Sequence, residues 1–213
     1  MARRPSVLKV ILCGEYGVGK SSIFRRFVYN SFIENADRKS TLGFDHYEKT
    51  FKLQLWDTGG LERVASVTTS YFKYADGAIL VFAYDGWESF SALSQHVIEI
   101  VASAEKAKIF LCGNKCDLLK ELTVGGNTPV NENGPNDDDV GKFFDENRIS
   151  DNENLFGQFF KISCKTNESV QSMFEQIAES LAKNWKAINL PRPDYFRLNN
   201  SVDQVRKNSD SCC

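Results

Sequence analysis

The sequence predicts an α/β fold with a mostly parallel central sheet covered by helices on both faces. Apolar runs rich in β-branched and aromatic residues alternate with segments of helical periodicity along most of the chain. These runs are almost continuously apolar, which is typical of strands buried on both faces. A glycine-rich segment follows the first run, at the edge where parallel sheets bind ligands.

Periodicity and composition set the order of the elements. Strands are predicted at 7–13, 52–56, 77–83, 108–113 and 158–163. Helices are predicted near 20–30, 89–105, 138–147 and 168–188. The apolar face of the last helix is formed by Val170, Met173, Phe174, Ile177, Leu181 and Trp185. Because prolines follow this helix, we expect one globular domain over 1–188 and a flexible tail over 189–213.

Composition narrows the class of protein. The chain has 213 residues and a net charge of −2, which gives no electrostatic reason to expect nucleic acid as a partner. No run of about 18 apolar residues and no signal region is evident, so we expect a soluble intracellular protein unless something is attached to it. Four cysteines lie in or beside apolar runs without metal-type spacing, as reduced cytosolic thiols do: Cys13, Cys112, Cys116 and Cys164.

The segment Gly14-Glu15-Tyr16-Gly17-Val18-Gly19-Lys20-Ser21-Ser22 matches the phosphate-binding pattern G-x-x-x-x-G-K-[ST]. Its glycines let backbone N–H groups turn toward a phosphate. Lys20 adds positive charge near the β- and γ-oxygens, and Ser21 offers a hydroxyl to Mg²⁺. A glycine-rich turn without a ligand is the alternative, but the flanking predicted strand and helix favour a nucleoside triphosphate bound by residues 15–22.

Two further motifs follow predicted strands. In Trp56-Asp57-Thr58-Gly59-Gly60, Asp57 can reach the Mg²⁺ shell and the Gly60 N–H can meet a γ-phosphate. In Asn114-Lys115-Cys116-Asp117, the Asp117 carboxylate can accept both N–H donors of the guanine edge. Adenine lacks that donor pair, so the combination with the phosphate loop favours a guanine nucleotide.

With these motifs in this order, the chain resembles the small GTPases of the Ras superfamily, and within it the Rab branch, over roughly residues 6–188. The resemblance implies a P-loop GTPase fold that binds GTP or GDP with Mg²⁺. It implies that Thr41 joins Ser21 and Asp57 as a Mg²⁺ ligand. It also implies that Phe32 packs against the guanine. The Ser163-Cys164-Lys165 motif is expected to contact the base through the Cys164 backbone, with Lys165 alongside.

The Rab resemblance rests on four segments: Ser40-Thr41-Leu42-Gly43-Phe44-Asp45, Lys52-Leu53-Gln54-Leu55-Trp56-Asp57, Leu61-Glu62-Arg63 and Ser70-Tyr71-Phe72. Trp56 and Tyr71 match two members of the aromatic triad that Rabs present to effectors, and His46 stands at the third position. The resemblance implies a monomer with effector, exchange, prenylation and extraction proteins as partners.

The chain ends in Ser211-Cys212-Cys213. Two terminal cysteines on a flexible tail resemble the double geranylgeranyl site of Rabs, and two lipid chains give stable membrane attachment. Two exposed thiols without a function are the alternative. We therefore expect a lipid-anchored protein on the cytoplasmic side of an intracellular or plasma membrane, with a cytosolic pool.

Two departures from the family concern catalysis. Leu61 occupies the position, next to Gly60, where the family usually has a Gln that orients the attacking water. Tyr16 occupies a phosphate-loop position that is usually small. Both changes predict slow hydrolysis of GTP. Leu61 could be an engineered substitution, but Gly59 in place of the usual Ala makes natural divergence at least as consistent with the sequence.

The connection between Thr41 and Asp57 is shorter than in Rabs. Because both residues must reach one Mg²⁺, we expect a truncated hairpin between switch I and switch II over residues 44–52. It would be centred near Lys49, with arms of about six residues. A single straight strand through 44–56 would contradict this hypothesis. A splice variant or an incorrect gene model is the alternative explanation of the short connection.

Residues 120–137 form an insertion rich in Gly, Asn, Asp and Pro, which predicts a mobile surface loop. Asp137-Asp138-Asp139 suits the first turn of the following helix, where carboxylates meet the positive end of the helix dipole. A metal site built from these acids is the less favoured interpretation.

Three functions remain open on the sequence alone. The first is a Rab-like switch in vesicle trafficking that recruits effectors in its GTP state and hydrolyses GTP slowly. The second is a scaffold that stays GTP-bound and essentially does not hydrolyse. The third is a P-loop kinase or ATPase, which would prefer adenine to guanine.

Overall fold

The computed structural model describes residues 7–33, 45–48, 53–57, 72–121, 133–150 and 153–185. The strands are β1 (Leu8–Cys13), β2 (Asp45–Glu48), β3 (Leu53–Asp57), β4 (Gly77–Ala83), β5 (Lys108–Asn114), β6 (Arg148–Ser150), β7 (Glu153–Asn154) and β8 (Phe156–Lys161). The helices are α1 (Lys20–Tyr29), α2 (Trp87–Ser91), α3 (Leu93–Ser103), α4 (Asp117–Glu121), α5 (Asp137–Glu146) and α6 (Val170–Trp185).

A six-stranded sheet forms the centre of the fold, in the order β2-β3-β1-β4-β5-β8. Every neighbouring pair is parallel except β2 with β3, which is antiparallel. Strands β6 and β7 pair separately as a small hairpin. The predicted α/β fold with a mostly parallel sheet is therefore confirmed.

Helices cover the sheet on both faces because its inner strands are apolar on both faces. In β1, Val10 and Leu12 pack on one side with Ile23 of α1 and Ile177 of α6. The neighbouring Ile11 and Cys13 pack on the other side, with apolar residues of α3 and α5. Each large aliphatic side chain buried in this way contributes about 1.5–3 kcal/mol. Because β3, β1, β4, β5 and β8 run parallel, their carboxyl ends lie at one edge of the sheet.

The truncated hairpin is confirmed as an antiparallel pair, and the straight strand through 44–56 is excluded. Asp45 lies opposite Asp57 and Glu48 lies opposite Gln54, so the register is symmetric about position 51. The predicted centre near Lys49 was therefore wrong by two residues. Gly, Asn and Pro, which would mark a turn, do not occur between Asp45 and Asp57, so the sequence contains no local signal for the centre.

Several element boundaries differ from the prediction. The helix expected over 89–105 is interrupted at Ala92, which separates α2 from α3. The last strand covers Phe156–Lys161 instead of 158–163. The last helix begins at Val170 instead of 168 because the Glu168 backbone exchanges hydrogen bonds with that of Ser163. The prediction also missed α4, β6 and β7, which are too short to show a full period of apolar residues.

The predicted insertion is only partly described, since 122–132 lie outside the described residues. Its first two positions, 120 and 121, belong to α4 and were wrongly assigned to a loop. Near its other end, Gly134 and Pro135 are buried. Asn136 caps α5 by accepting a hydrogen bond from the Asp139 N–H, and the Asp139 carboxylate accepts from the Asn136 N–H, both at 3.0 Å. The predicted first-turn role of these acids is confirmed.

The end of the insertion is attached to the sheet through Asp137. Its carboxylate accepts hydrogen bonds from the Lys161 ammonium at 2.6 and 2.9 Å and from the Tyr84 hydroxyl at 3.1 Å. Tyr84 is fully buried directly after β4, and Lys161 ends β8. The first turn of α5 is therefore fixed to two strand ends.

Within the described ranges, no helix combines the length and apolarity that a membrane crossing needs. Cys13, Cys112, Cys116 and Cys164 are buried and free of disulfides.

Candidate nucleotide-binding site

The segment between β1 and α1 has the backbone geometry of an anion-binding loop. Gly14, Gly17 and Gly19 have φ angles of +130°, +83° and +98°, in the region that favours glycine. A Cβ on Gly14 would lie 2.1 Å from the Val81 carbonyl oxygen, and one on Gly19 would lie 2.3 Å from Nδ2 of Asn114. Both the curvature of this loop and its contact with β4 and β5 therefore require glycine.

Lys20 is buried at the start of α1. Its ammonium donates hydrogen bonds to the carbonyl oxygens of Gly14 at 2.6 Å and Glu15 at 2.8 Å, so the charge lies against the loop. Gly19 caps the helix without a side-chain hydrogen bond, and the first turn contains no acidic residue. Helix N–H groups with such a cap bind anions well, and the Ser21 and Ser22 side chains lie half-buried beside them.

Asn114 joins three loops at the carboxyl edge of the sheet. It is 2% exposed. Its Nδ2 donates to the Val18 carbonyl at 2.8 Å, and its Oδ1 accepts from the Cys164 N–H at 3.3 Å. One side chain at the end of β5 thus contacts both the glycine-rich loop and the segment after β8.

The half-buried carboxylate of Asp117 lies in the same region. Its Oδ1 accepts a hydrogen bond from the Ser163 hydroxyl at 2.6 Å, and the same hydroxyl accepts from the Thr166 N–H at 3.2 Å. The Cys116 N–H donates to the Ile162 carbonyl at 3.1 Å. The two segments that the sequence analysis assigned to the base therefore contact each other directly.

Lys115 and Lys165 lie at the outer side of this region. Lys115 has a positive φ of 65° and forms an ion pair with Asp85, which follows β4. Lys165 is exposed. Phe32 is half-buried against the core beside α1 and α6.

Burial controls the chemistry of the Cys164 thiol. Desolvation raises the pKa of this thiol to about 12, against a smaller lowering by the Arg26 charge. The thiol is therefore protonated at neutral pH, and the chemical contribution of Cys164 here comes from its backbone N–H and C=O.

Comparison with known proteins identifies the family. The Ras family model matches residues 9–183. Human Ras-related protein Rab-3D is 31% identical over 185 residues, which cover 83% of this chain and 75% of the relative. Ras-related protein Rab11A of Lotus japonicus is 41% identical over 128 residues, covering 55% of each chain. This chain belongs to the Ras superfamily of small GTPases, on its Rab-like branch. Ras-related protein RIC1 of Oryza sativa subsp. japonica is also similar, with 40% identity over 126 residues that cover 55% of this chain and 61% of the relative.

Membership in this family argues against the P-loop kinase or ATPase alternative. Ras-family GTPases in general bind GTP or GDP with Mg²⁺, and Rab proteins in general act with regulators and effectors at membranes. The donor set at the carboxyl edge of this Rab-like GTPase is chemically suited to such a ligand. It combines backbone N–H groups at a helix N-terminus with an ammonium, a hydroxyl and a carboxylate.

The predicted Mg²⁺ ligands are only partly described. Ser21 lies in the first turn of α1. The Asp57 backbone lies beside Leu12 of β1, at the carboxyl edge of the sheet, and its side chain is outside the described residues. Thr41 lies wholly outside them. Among the side chains that the structure describes, no group of three or more His, Cys, Asp or Glu forms a metal-type cluster.

Other predicted site residues of this Rab-like GTPase also lie outside the described part. These are Gly60, Leu61, Tyr71, Cys212 and Cys213. His46 and Trp56 are paired across β2 and β3, which brings two predicted effector positions together in the backbone, but their side chains are not described.

Tyr16 is described and is 38% exposed. It lies in the turn of the glycine-rich loop, on the solvent side, beside the exposed Gly17. A large aromatic ring therefore stands at the loop surface.

Sequence reasoning missed two side chains near this site. Arg26 of α1 donates to the carbonyl oxygen of Cys164. His96 of α3 lies 3.1 Å from the Glu15 carboxylate and 3.4 Å from that of Glu99. The contacts of Arg26 with Cys164 and of His96 with Glu15 join residues far apart in the chain, so motif spacing contains no signal for them.

Proposed function

We propose that this Rab-like GTPase is a molecular switch that binds GTP or GDP with Mg²⁺ and recruits effectors in its GTP state during vesicle trafficking. The observation that supports this best is the position of Asn114, which contacts both the phosphate loop at Val18 and the base-contacting segment at Cys164. A ligand that spans these loops needs phosphates at one end and a polar base at the other. A guanine nucleotide has this chemistry.

Different residues around Asn114 would bind the phosphates and the guanine base of the nucleotide. The N-terminus of α1 and Lys20 would contact the phosphates, and Asp117 would accept the N–H donors of guanine. A guanine oxygen would compete with Asn114 for the Cys164 N–H, whose present bond is long at 3.3 Å. Ser21, Thr41 and Asp57 would hold Mg²⁺, which when bound neutralises phosphate charge.

Hydrolysis is expected to be slow because Leu61 has no group that can orient water. The exposed ring of Tyr16 adds a second obstacle, since it would lie where an arginine from an activating protein approaches. Both residues also favour the second candidate, a GTP-bound scaffold that essentially does not hydrolyse.

Membrane attachment is proposed through lipids on Cys212 and Cys213. The similarity to Rab-3D and Rab11A supports a location on the cytoplasmic side of a cellular membrane, with exchange, prenylation and extraction proteins as partners. His46, Trp56 and Tyr71 are the proposed effector positions.

Base selectivity tests nucleotide binding. A fluorescent GDP analogue bound to the purified protein should be displaced by GTP and not by ATP at equal concentration. Asp117→Ala should weaken GDP binding by about a hundredfold, because two hydrogen bonds to a charged group are lost. Asp138→Ala, an exposed acid in α5, serves as the control and should bind GDP as the wild type does. Displacement by ATP equal to that by GTP would exclude the proposed role of Asp117.

Single-turnover hydrolysis of bound GTP separates the switch from the scaffold. We expect slow hydrolysis in the wild type and faster hydrolysis in Leu61→Gln and in Tyr16→Gly, measured separately. A wild-type rate normal for small GTPases would exclude the scaffold. If neither substitution accelerates hydrolysis, these residues do not set the rate.

A further inference from the structure

The half-buried side chain of Arg26 connects α1 to the segment after β8. Its Nε and Nη2 donate to the carbonyl oxygen of Cys164 at 2.9 and 2.7 Å. Nη2 also lies 3.2 Å from the Lys165 carbonyl oxygen, and Nη1 donates to the Asn30 carbonyl oxygen at 3.1 Å. The planar guanidinium therefore uses three nitrogens to bind three backbone carbonyls.

These bonds fix the peptide groups of Cys164 from two sides. Asn114 of β5 accepts from the Cys164 N–H, and Arg26 of α1 donates twice to the Cys164 carbonyl. Hydrogen bonds from a charged donor are about twice as strong as those between neutral groups. Arg26 therefore makes the stronger of these two attachments of Cys164.

Arg26 also contacts the residue assigned to the face of the base. Its guanidinium carbon lies 5.9 Å from the centroid of the Phe32 ring, within the range of a cation–π contact. A second bond, from the Asn167 side chain to that of Asn30 at 3.2 Å, joins the end of α1 to the same segment. One arginine thus contacts two of the groups proposed to contact guanine, the Cys164 backbone and the Phe32 ring.

The opposite end of α1 begins at the phosphate loop, with Gly19 as its cap. Lys20 is the first residue of α1, and Arg26 follows six residues, or about 1.7 turns, later. The helix therefore fixes the spacing between the proposed phosphate and base ends of the site. Loss of the Arg26 bonds would remove the charge-assisted link between α1 and the 162–168 segment. The hydrogen bonds of Ile162, Ser163, the Cys164 N–H and Asn167 would remain.

We propose that Arg26 is a positioning residue for the guanine base: it acts through the Cys164 and Lys165 backbone and through Phe32, without contacting the nucleotide. This inference rests on the proposed function, because it assigns a role within the same guanine site.

Dissociation of a fluorescent GDP analogue tests the proposal in three variants. Arg26→Gln should accelerate dissociation by about tenfold, since the charge-assisted bonds are lost. Arg26→Lys should give an intermediate rate, because an ammonium keeps the charge without the planar geometry. Arg25→Gln is the matched control, since Arg25 is its exposed neighbour on α1, and its rate should equal that of the wild type. A wild-type rate in Arg26→Gln, or an equal acceleration in Arg25→Gln, would overturn the proposal.

Hydrogen exchange distinguishes positioning from general support of the fold. In Arg26→Gln, amide exchange should rise within 162–168 and stay unchanged in β1 and β4. A uniform rise across the chain would show that Arg26 stabilises the whole domain instead. If the wild type binds no guanine nucleotide, the proposed function fails, and exchange in nucleotide-free protein still decides whether Arg26 orders this segment.

Discussion

The carbonyl oxygen of Val81 leaves no room for a side chain on Gly14. A Cβ would lie 2.1 Å from this oxygen, which belongs to the backbone of the central strand β4 and cannot move without breaking the sheet. Gly14 also has a φ of +130°, which strains any other residue. The start of the phosphate loop is therefore fixed by packing as well as by conformation.

Gly14→Ala is expected to lower the free energy of unfolding by about 3 kcal/mol or more, because overpacking and backbone strain add. Urea unfolding measures the effect. Gly141→Ala is the control for the same substitution, since a Cβ there meets nothing within 4 Å in the middle of α5. This variant should gain about 0.5–1 kcal/mol. If the free energy of unfolding falls by a similar amount in both variants, the contact with Val81 and the backbone strain do not explain the loss in Gly14→Ala.

Motif spacing was sufficient to propose the phosphate loop, Asn114 and Asp117 as site residues, and the structure places them together at one edge of the sheet. The Arg26 bond to Cys164 joins residues 138 positions apart, and the His96 contact with Glu15 joins residues 81 apart. Such contacts depend on how α1, α3 and β8 pack, which a single sequence does not specify. The residues around the site were for this reason harder to predict than those inside it.

At the scale of elements, the stability of α5 depends on the hydrogen bonds of its first turn. The reciprocal hydrogen bonds of Asn136 and Asp139 satisfy N–H groups that the helix itself leaves without partners. Asn136→Ala should lower the free energy of unfolding by about 1 kcal/mol. Thermal or urea unfolding measures it, and Asp138→Ala, which leaves the capping box intact, should cost less than half as much. If Asn136→Ala costs no more than Asp138→Ala, the capping box does not make the expected contribution to stability.

Long elements were predicted well and short ones poorly. β4 has seven buried positions in succession, and α6 repeats its apolar face over four turns. Both patterns are long enough to be distinguished from a chance run of apolar residues. Strands β6 and β7 have three and two residues, too few for any periodicity. The hairpin of β2 and β3 was recognised from the shared Mg²⁺ requirement, but its register depends on pairing that no turn residue marks.

For the whole molecule, buried titratable groups make the free energy of unfolding depend on pH in the alkaline range. Burial raises the pKa of the Cys13, Cys112 and Cys164 thiols, so the folded chain keeps protons that the unfolded chain loses near pH 8.5. The stability that these thiols contribute is complete below that pH and is lost as the pH rises. Burial lowers the pKa of the Lys9 ammonium to about 8, which has the opposite effect between pH 8 and about 10.4.

The three thiols outweigh Lys9, so the free energy of unfolding should fall by about 3 kcal/mol between pH 8 and pH 10. Urea unfolding in the presence of a reductant measures this change. In Lys9→Met the opposing contribution is removed, and the fall should increase by about 2 kcal/mol. A free energy of unfolding that is constant or rises between pH 8 and pH 10 would contradict the stated directions of the pKa shifts.

The contact of Asp137 with Tyr84 and Lys161 has a consequence for how the chain can vary in evolution. Leu119 of α4 is buried in the core on one side of residues 122–132, and Asp137 is bound to two strand ends on the other side. Both ends of this segment are therefore fixed independently of its length. Each doubling of a loop between fixed ends costs only about 0.6 kcal/mol. Insertions or deletions between positions 122 and 132 are therefore expected to cost little stability and to leave the carboxyl edge of the sheet unchanged.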